Sequence, residues 1–470
     1  MAAVSSSFLR VTARYSFFLT LAVAPWFYGG TTSISIVVID WLLAAVLILW
    51  IADLIINRRA PKFPPALIWI VVALLIIGAW MTFNARSVYD AEFATFMRLD
   101  RLLPRAPGSV DYAISAAWMI RAALLLLSIL FVVDLAREGK YLLQLWGAIA
   151  LAGGSIALFG LLEKASGAKA LFWQTPIMGL SSSTFFASYY YHANAGAFLN
   201  LVLPFTAGLA LRAFGTETKP LLRATWLNMF LVNVAAIAAN TSKMAQLIGI
   251  LIFIALMWQL GPKIARRFSR SERNVALGGA AAILLVIGAI AATTHLDQPV
   301  QRWKKIGEQI SVDARWSASG VALRTLPDAG LMGFGPGTFR VIFPSYNKSE
   351  SKPVTGQWRF LHQDYLETVM EWGWVGSFCW AALFFGGVIA AVFALRKQNK
   401  YRKGPKAEVR GLKGEWSGRR RLILPMAMIA LSGVAIHALV DFPLQIMSIQ
   451  LYVATCLGLC WSSLRWNNAS

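Results

Sequence analysis

Charge is scarce in this chain of 470 residues. Asp, Glu, Lys and Arg make up 14% of it, against about 25% in a soluble protein. That scarcity excludes an ordinary soluble domain. Cysteine is rarer still. Cys379, Cys456 and Cys460 all fall in apolar runs, which excludes a disulfide framework and a zinc spacing. No repeat of fixed period is present. The apolar runs do not alternate with polar residues, which excludes a transmembrane barrel. Met1 to Leu9 carries no cationic leader and no cleavage site, so the first apolar span reads as retained.

What the chain does have is apolar residue, 57% of the total. Runs near 20 residues recur, the length that crosses a bilayer core of about 30 Å. The expected fold is an all-α integral membrane protein of about twelve transmembrane helices with one large periplasmic loop. The spans are predicted at 15–28, 33–56, 65–83, 111–133, 141–162, 193–211, 221–240, 243–260, 275–292, 374–395, 422–440 and 443–464. They divide the chain into 1–292 with nine spans, an outer segment 293–373, and 374–470 with three spans and a basic loop at 396–421.

The connecting segments set the expected orientation. With the N-terminus inside, the inner segments hold 27 of the 44 Lys and Arg but only six acids. The positive-inside rule is then satisfied with both termini cytoplasmic. The high net charge of +22 thereby reads as loops facing anionic lipid, not as a nucleic-acid surface.

The outer segment is too small and too poor in apolar runs for a separate catalytic domain. It should lie over the bundle as short amphipathic helices. Within it stand Gly333-Phe334-Gly335-Pro336-Gly337 and Leu361-His362-Gln363-Asp364-Tyr365. From His362 onward, helical spacing groups His362, Tyr365 and Val369 on one face, and Asp364, Glu367 and Glu371 on an acidic second face.

His362 is the only His between Arg315 and Gly376. An imidazole there can act as a general base, or simply bond a nearby carbonyl. Arg315 and Arg324 offer planar forks suited to phosphate, or surface ion pairs with Asp313 or Asp328. Lys243, in the tight turn Asn240-Thr241-Ser242-Lys243, can bind phosphate or snorkel to headgroups. Arg121 lies about 15 Å deep in its span at 1.5 Å per residue, which suits a wet cavity or a structural pair with Asp40. Asp90-Ala91-Glu92 is an acid pair of weak metal-binding character. Gly335 and Gly337 would let the backbone approach a ligand, or make only a turn.

The order of these motifs resembles the O-antigen ligase and O-antigen polymerase superfamily. The resemblance rests on Gly333-x-Gly335-Pro336-Gly337-Thr338-Phe339, His362-x-Asp364-Tyr365-Leu366 and Glu371-x-Gly373-x-x-Gly376. His437 to Leu444, with its Asp441-Phe442-Pro443, and Asn194 to Pro204 agree. The resemblance implies an integral-membrane glycosyltransferase of the type C kind in the bacterial inner membrane, with its active site on the periplasmic face. Its donor would be a glycan on a polyprenyl diphosphate, and its acceptor lipid A-core or, for a polymerase, another carrier-linked glycan. No metal or other cofactor is implied. The family's catalytic His falls on His362 and its loop Arg on Arg315. A second family Arg falls on Lys243, which keeps the charge and loses the fork. With these go Arg324, Arg121, Tyr365, Gly335 and Gly337 as substrate-binding candidates. A transporter or flippase is the alternative of another class, though no half-to-half repeat or paired broken helices support it.

Overall fold

The computed structural model describes residues 2–90, 92–93, 95–174, 184–216, 219–267, 303–304, 314–402 and 414–468. The continuous apolar runs form helices, the only way to satisfy every backbone N–H and C=O inside a bilayer without a closed barrel. In chain order these are α1 (Ala2–Trp26), α2 (Ser33–Ile56), α3 (Pro65–Phe83), α4 (Tyr112–Leu135), α5 (Gly139–Ala165), α6 (His192–Thr216), α7 (Pro220–Ala239) and α8 (Lys243–Arg267). Beyond them lie α9 (Ala314–Ala329), α10 (Phe339–Lys348), α11 (Asp364–Arg402), α12 (Gly414–His437) and α13 (Met447–Ser462). The only sheet among the described residues is a hairpin of β1 (Ser87–Asp90) and β2 (Thr95–Arg98).

Ten of the described helices are long and apolar enough to cross a membrane, so the protein is an all-α polytopic membrane protein. The span predicted at 15–28 overlaps the second half of α1 and runs two residues past its end; α1 carries Arg10 and Arg14 and is not one of the ten. The span predicted at 275–292 lies outside the described residues. Helix α11 starts ten residues before the predicted 374, because the polar turn 364–373 is helical and joins the span through a break at Gly373.

Ion pairs tie together one end of the bundle. Arg10 reaches Asp53 at 3.3 Å, Arg14 reaches Glu138 at 2.8 Å, and Arg59 reaches Asp134 at 2.8 Å. These cations all belong to segments expected to face the same side. At the opposite end, α9 and α10 cover the helices with a small core of their own, built from Val321, Phe334, Phe339, Phe343, Leu361 and Met370.

Two of the sequence motifs prove to be halves of one interlock. The backbone at Gly373 is left-handed at φ 62°, which a glycine takes without strain. The break leaves carbonyls of α11 without helical partners. The Met370 carbonyl accepts the Phe334 N–H at 2.8 Å, and the Glu371 carbonyl accepts the Gly335 N–H at 2.9 Å. The glycine turn is thereby clipped onto the helix that follows His362.

Candidate active site

The acidic face of α11 points inward. Asp364, Glu367 and Glu371 are all buried, and each accepts a backbone N–H from a different segment. Asp364 Oδ2 takes Leu444 at 2.8 Å, Glu367 Oε2 takes Leu361 at 2.7 Å, and Glu371 Oε1 takes Phe339 at 3.0 Å. Unpaired amides inside a fold are costly, and a carboxylate is a strong acceptor for them. These three side chains fix the loop that presents His362.

His362 itself precedes α11 and has φ 61°, a conformation rare for a residue with a Cβ. It therefore does not share a helix face with Tyr365 and Val369, as the spacing suggested. Instead its Nδ1 lies 3.0 Å from Asp441 Oδ1, in the break between α12 and α13. A carboxylate only accepts, so Nδ1 is the protonated nitrogen and Nε2 carries the lone pair. Burial disfavours the Asp441 charge, yet the His362 hydrogen bond and the charge of Arg315 hold its carboxyl below its ordinary range. The Phe442 N–H also donates to Asp441 Oδ1, at 3.0 Å.

Tyr191 extends this pair. Its hydroxyl donates to Asp441 Oδ2 at 3.2 Å and accepts from Arg315 Nη2 at 2.6 Å. The imidazole is wedged edge-on against Phe442, Trp358 and Tyr191, with ring centroids 4.5, 5.6 and 5.9 Å away. The Lys243 turn abuts the same region, since Asn240 Nδ2 donates to the His192 carbonyl at 2.9 Å, one residue from Tyr191.

Beside this chain of bonds opens a cavity of about 690 Å³. Tyr191, Phe360 and Phe442 form the wall nearest His362, with Asn194 and Gln445 beside them. Arg121, Arg340 and Arg359 also line it, as do Asp40, Glu367 and Glu371. Arg121 has no ion pair within 4.0 Å among the described residues, and instead lies 4.4 Å over the Trp118 ring. The expected structural pair with Asp40 does not close to contact distance. Partial burial and the like charge of Arg340 lower the Arg359 guanidinium from its ordinary value. Gly337 lines the cavity at φ 74°, where a Cβ would collide with Trp118.

The other candidates fall elsewhere. Arg324 is 62% exposed and pairs with Glu350 at 2.8 Å, the surface role weighed for it but with a different acid. The Tyr365 hydroxyl donates to the Ala435 carbonyl at 2.7 Å. Gly335 packs against Ser109, not against the cavity. Asp90 Oδ1 accepts the Glu92 and Phe93 N–H groups at 2.9 and 3.2 Å, so that acid closes the hairpin turn. Sequence reasoning missed Arg340, Arg359 and Tyr191, and it read Asp441 only as part of a segment. Arg340 follows the glycine turn by three residues and Arg359 precedes His362 by three, a proximity that could have drawn attention to both.

Fold and site together define a polytopic membrane protein with a carboxylate-held histidine beside clustered cations. Residues 228–381, about a third of the chain, match the family model described as Wzy_C, O-Antigen ligase, which supports membership of the O-antigen ligase superfamily. That segment contains Lys243, Arg315 and His362. No curated protein matches the chain.

Proposed function

We propose that this protein transfers a glycan from a polyprenyl diphosphate carrier to a lipid-linked acceptor, with inversion, at the periplasmic face of a bacterial inner membrane. The observation that carries the reading is the 3.0 Å His362–Asp441 hydrogen bond, continued through Tyr191 to Arg315. It is the arrangement of a base oriented by a third group.

His362 Nε2 takes the proton of the acceptor hydroxyl. The hydroxyl oxygen attacks the anomeric carbon as the bond from that carbon to the carrier oxygen breaks. The bonding electrons leave with the diphosphate, so the sugar carbon is inverted. Arg315 stabilises that charge with its fork, and Lys243, at the N-terminus of α8, adds a point charge where the helix dipole favours an anion. A diphosphate leaves without a proton, so no second acid is required. Fixed cations take the place of a bound metal ion.

The reaction is tested with purified protein, carrier-linked glycan and candidate acceptors, with and without chelator. Product is expected in both conditions, and Asp90→Asn should cost little, since the amide oxygen still closes the hairpin turn. Chelator-sensitive activity restored by manganese or magnesium would point to Asp90 and Glu92 and retire the His362 mechanism.

Orientation has its own test. Labelling from outside is expected to modify a cysteine placed at Ser349 and spare one placed at Ser417. The opposite pattern would put the His362 end of the bundle in the cytoplasm.

A further inference from the structure

Between α3 and α4 the chain makes the β1–β2 hairpin, at the same end of the bundle as the glycine turn. A two-stranded hairpin by itself is only marginally stable in water. This one is mounted firmly at its base. The Arg86 N–H donates to the Ser109 carbonyl at 2.7 Å, and the Leu99 N–H to the Arg86 carbonyl at 3.0 Å. The Tyr89 N–H donates to Asp111 Oδ2 at 3.0 Å, while Asp111 Oδ1 accepts the Ile114 N–H and caps α4. The Val110 N–H donates to the Phe334 carbonyl at 2.8 Å, which ties the mount to the glycine turn.

Above that base the hairpin is apolar and open. Its register sets Tyr89 opposite Phe96 and Val88 opposite Met97. Partners across an antiparallel pair share a face, so the two pairs lie on opposite faces. All four residues of β2 are exposed. Tyr89 and Phe96 meet edge-on at 5.3 Å. They line a cavity of about 400 Å³ together with Ala113 and Ile114 of α4 and Arg340 and Val341 of α10. The hairpin therefore lies sideways past the first turn of α4 and does not stand away from the bundle. Phe93, at its tip, is 69% exposed, and Met97, on the far face, 48%. Leu102 and Leu103, in the returning segment, are exposed as well.

An open apolar strand edge of this kind in water invites aggregation. Here it continues a surface that faces lipid. Phe83 ends α3 and Tyr112 begins α4, and both are exposed on helices long and apolar enough to cross a membrane. The charges suit the same neighbour. Arg86 and Arg98 are exposed near the base of the hairpin, where a lipid phosphate can pair with them. Glu92 is exposed beside Phe93 at the tip. A carboxylate is costly in hydrocarbon, so insertion stops at the boundary between headgroups and acyl chains.

We propose that the hairpin 87–98 is an interfacial anchor, seated in the leaflet on the glycine-turn side of the membrane. Phe93 and Met97 lie among the upper acyl carbons, and Arg86 and Arg98 pair with phosphates. The bilayer itself covers the open face, in place of a second copy of this chain or another protein. The inference stands apart from the transfer reaction proposed above.

The test reads depth directly. Phe93→Cys, Met97→Cys and Ser349→Cys, all at exposed positions, are made in the full-length protein and labelled with the environment-sensitive fluorophore NBD. The native cysteines lie in membrane helices, and wild type taken through the same labelling gives their background. Each variant is reconstituted, one copy per disc, in nanodiscs of phosphatidylethanolamine and phosphatidylglycerol carrying bromine either high or low on the acyl chains. At 93 and 97 the emission is expected to lie to the blue of that at 349. High bromines should quench it most, low bromines less, and aqueous iodide least. Emission and iodide quenching at 93 and 97 equal to those at 349 would put the face in water and overturn the proposal. A blue shift that needs two copies per disc would make the face a self-interface and overturn it as well. A blue shift seen in native membranes and lost in the discs would assign the face to another protein, with the same consequence. Stronger quenching by low bromines than by high ones would overturn the interfacial depth.

Discussion

His362→Ala is expected to lower glycan transfer by about 10²–10⁴-fold, the usual contribution of a general base, while carrier-lipid binding stays near wild type. The separation of turnover from binding follows from the geometry. Nδ1 is spent on Asp441 at 3.0 Å, so Nε2 is the nitrogen left for chemistry. Removing the ring removes the proton acceptor and leaves Arg315 and the cavity arginines in place. Asp441→Asn should reproduce much of the loss. The amide can donate to Nδ1, which would move the proton to Nε2 and leave no base there. A diphosphate-lipid analogue titrated onto His362→Ala, Arg315→Ala and Lys243→Ala decides the matter. Equal loss of binding in all three would make His362 a ligand contact or a structural residue, and its role as base would be abandoned.

Arg315 carries the second large effect. Arg315→Lys is expected to lose about 10²–10³-fold in turnover, the scale for removing one donor to a developing anion, and to bind the diphosphate analogue more weakly. Lysine keeps the charge but cannot hold the Tyr191 hydroxyl at 2.6 Å and offer a second fork arm to phosphate at once. Lys243→Arg, in contrast, should be tolerated or improve the enzyme, because it supplies the fork that the resemblance implies at that place. Tyr191→Phe separates the two functions of Arg315. It removes the hydroxyl that aligns the guanidinium and leaves the charge, so it should cost less than Arg315→Lys. An Arg315→Lys enzyme with unchanged turnover would reduce Arg315 to a surface cation.

The transmembrane helices are legible in the amino-acid sequence because the free energy of placing a run of about 20 apolar residues in lipid belongs to the run itself. The span 65–83 coincides with α3 and 33–56 with α2. His362 stands out for a similar local reason, as the one His between Arg315 and Gly376, whereas Arg315 is one of several cations there and is singled out by the resemblance. The acidic face of α11 is legible as a pattern and not as a role. Helical spacing groups Asp364, Glu367 and Glu371, but only packing shows that each is buried against a loop amide.

The chain by itself determined the bundle, the charge asymmetry of its loops and the histidine. The tertiary structure alone decided the partners. Asp441 reaches His362 across 79 residues, and Tyr191 reaches Arg315 across 124. It also decided that Arg121, Arg340 and Arg359, from three separate segments, share one cavity and that Arg324 does not. Periodicity reports which face of a helix a residue occupies, and composition reports what it can do. Neither contains the distance between side chains on helices that meet only when the apolar faces of the bundle are packed together.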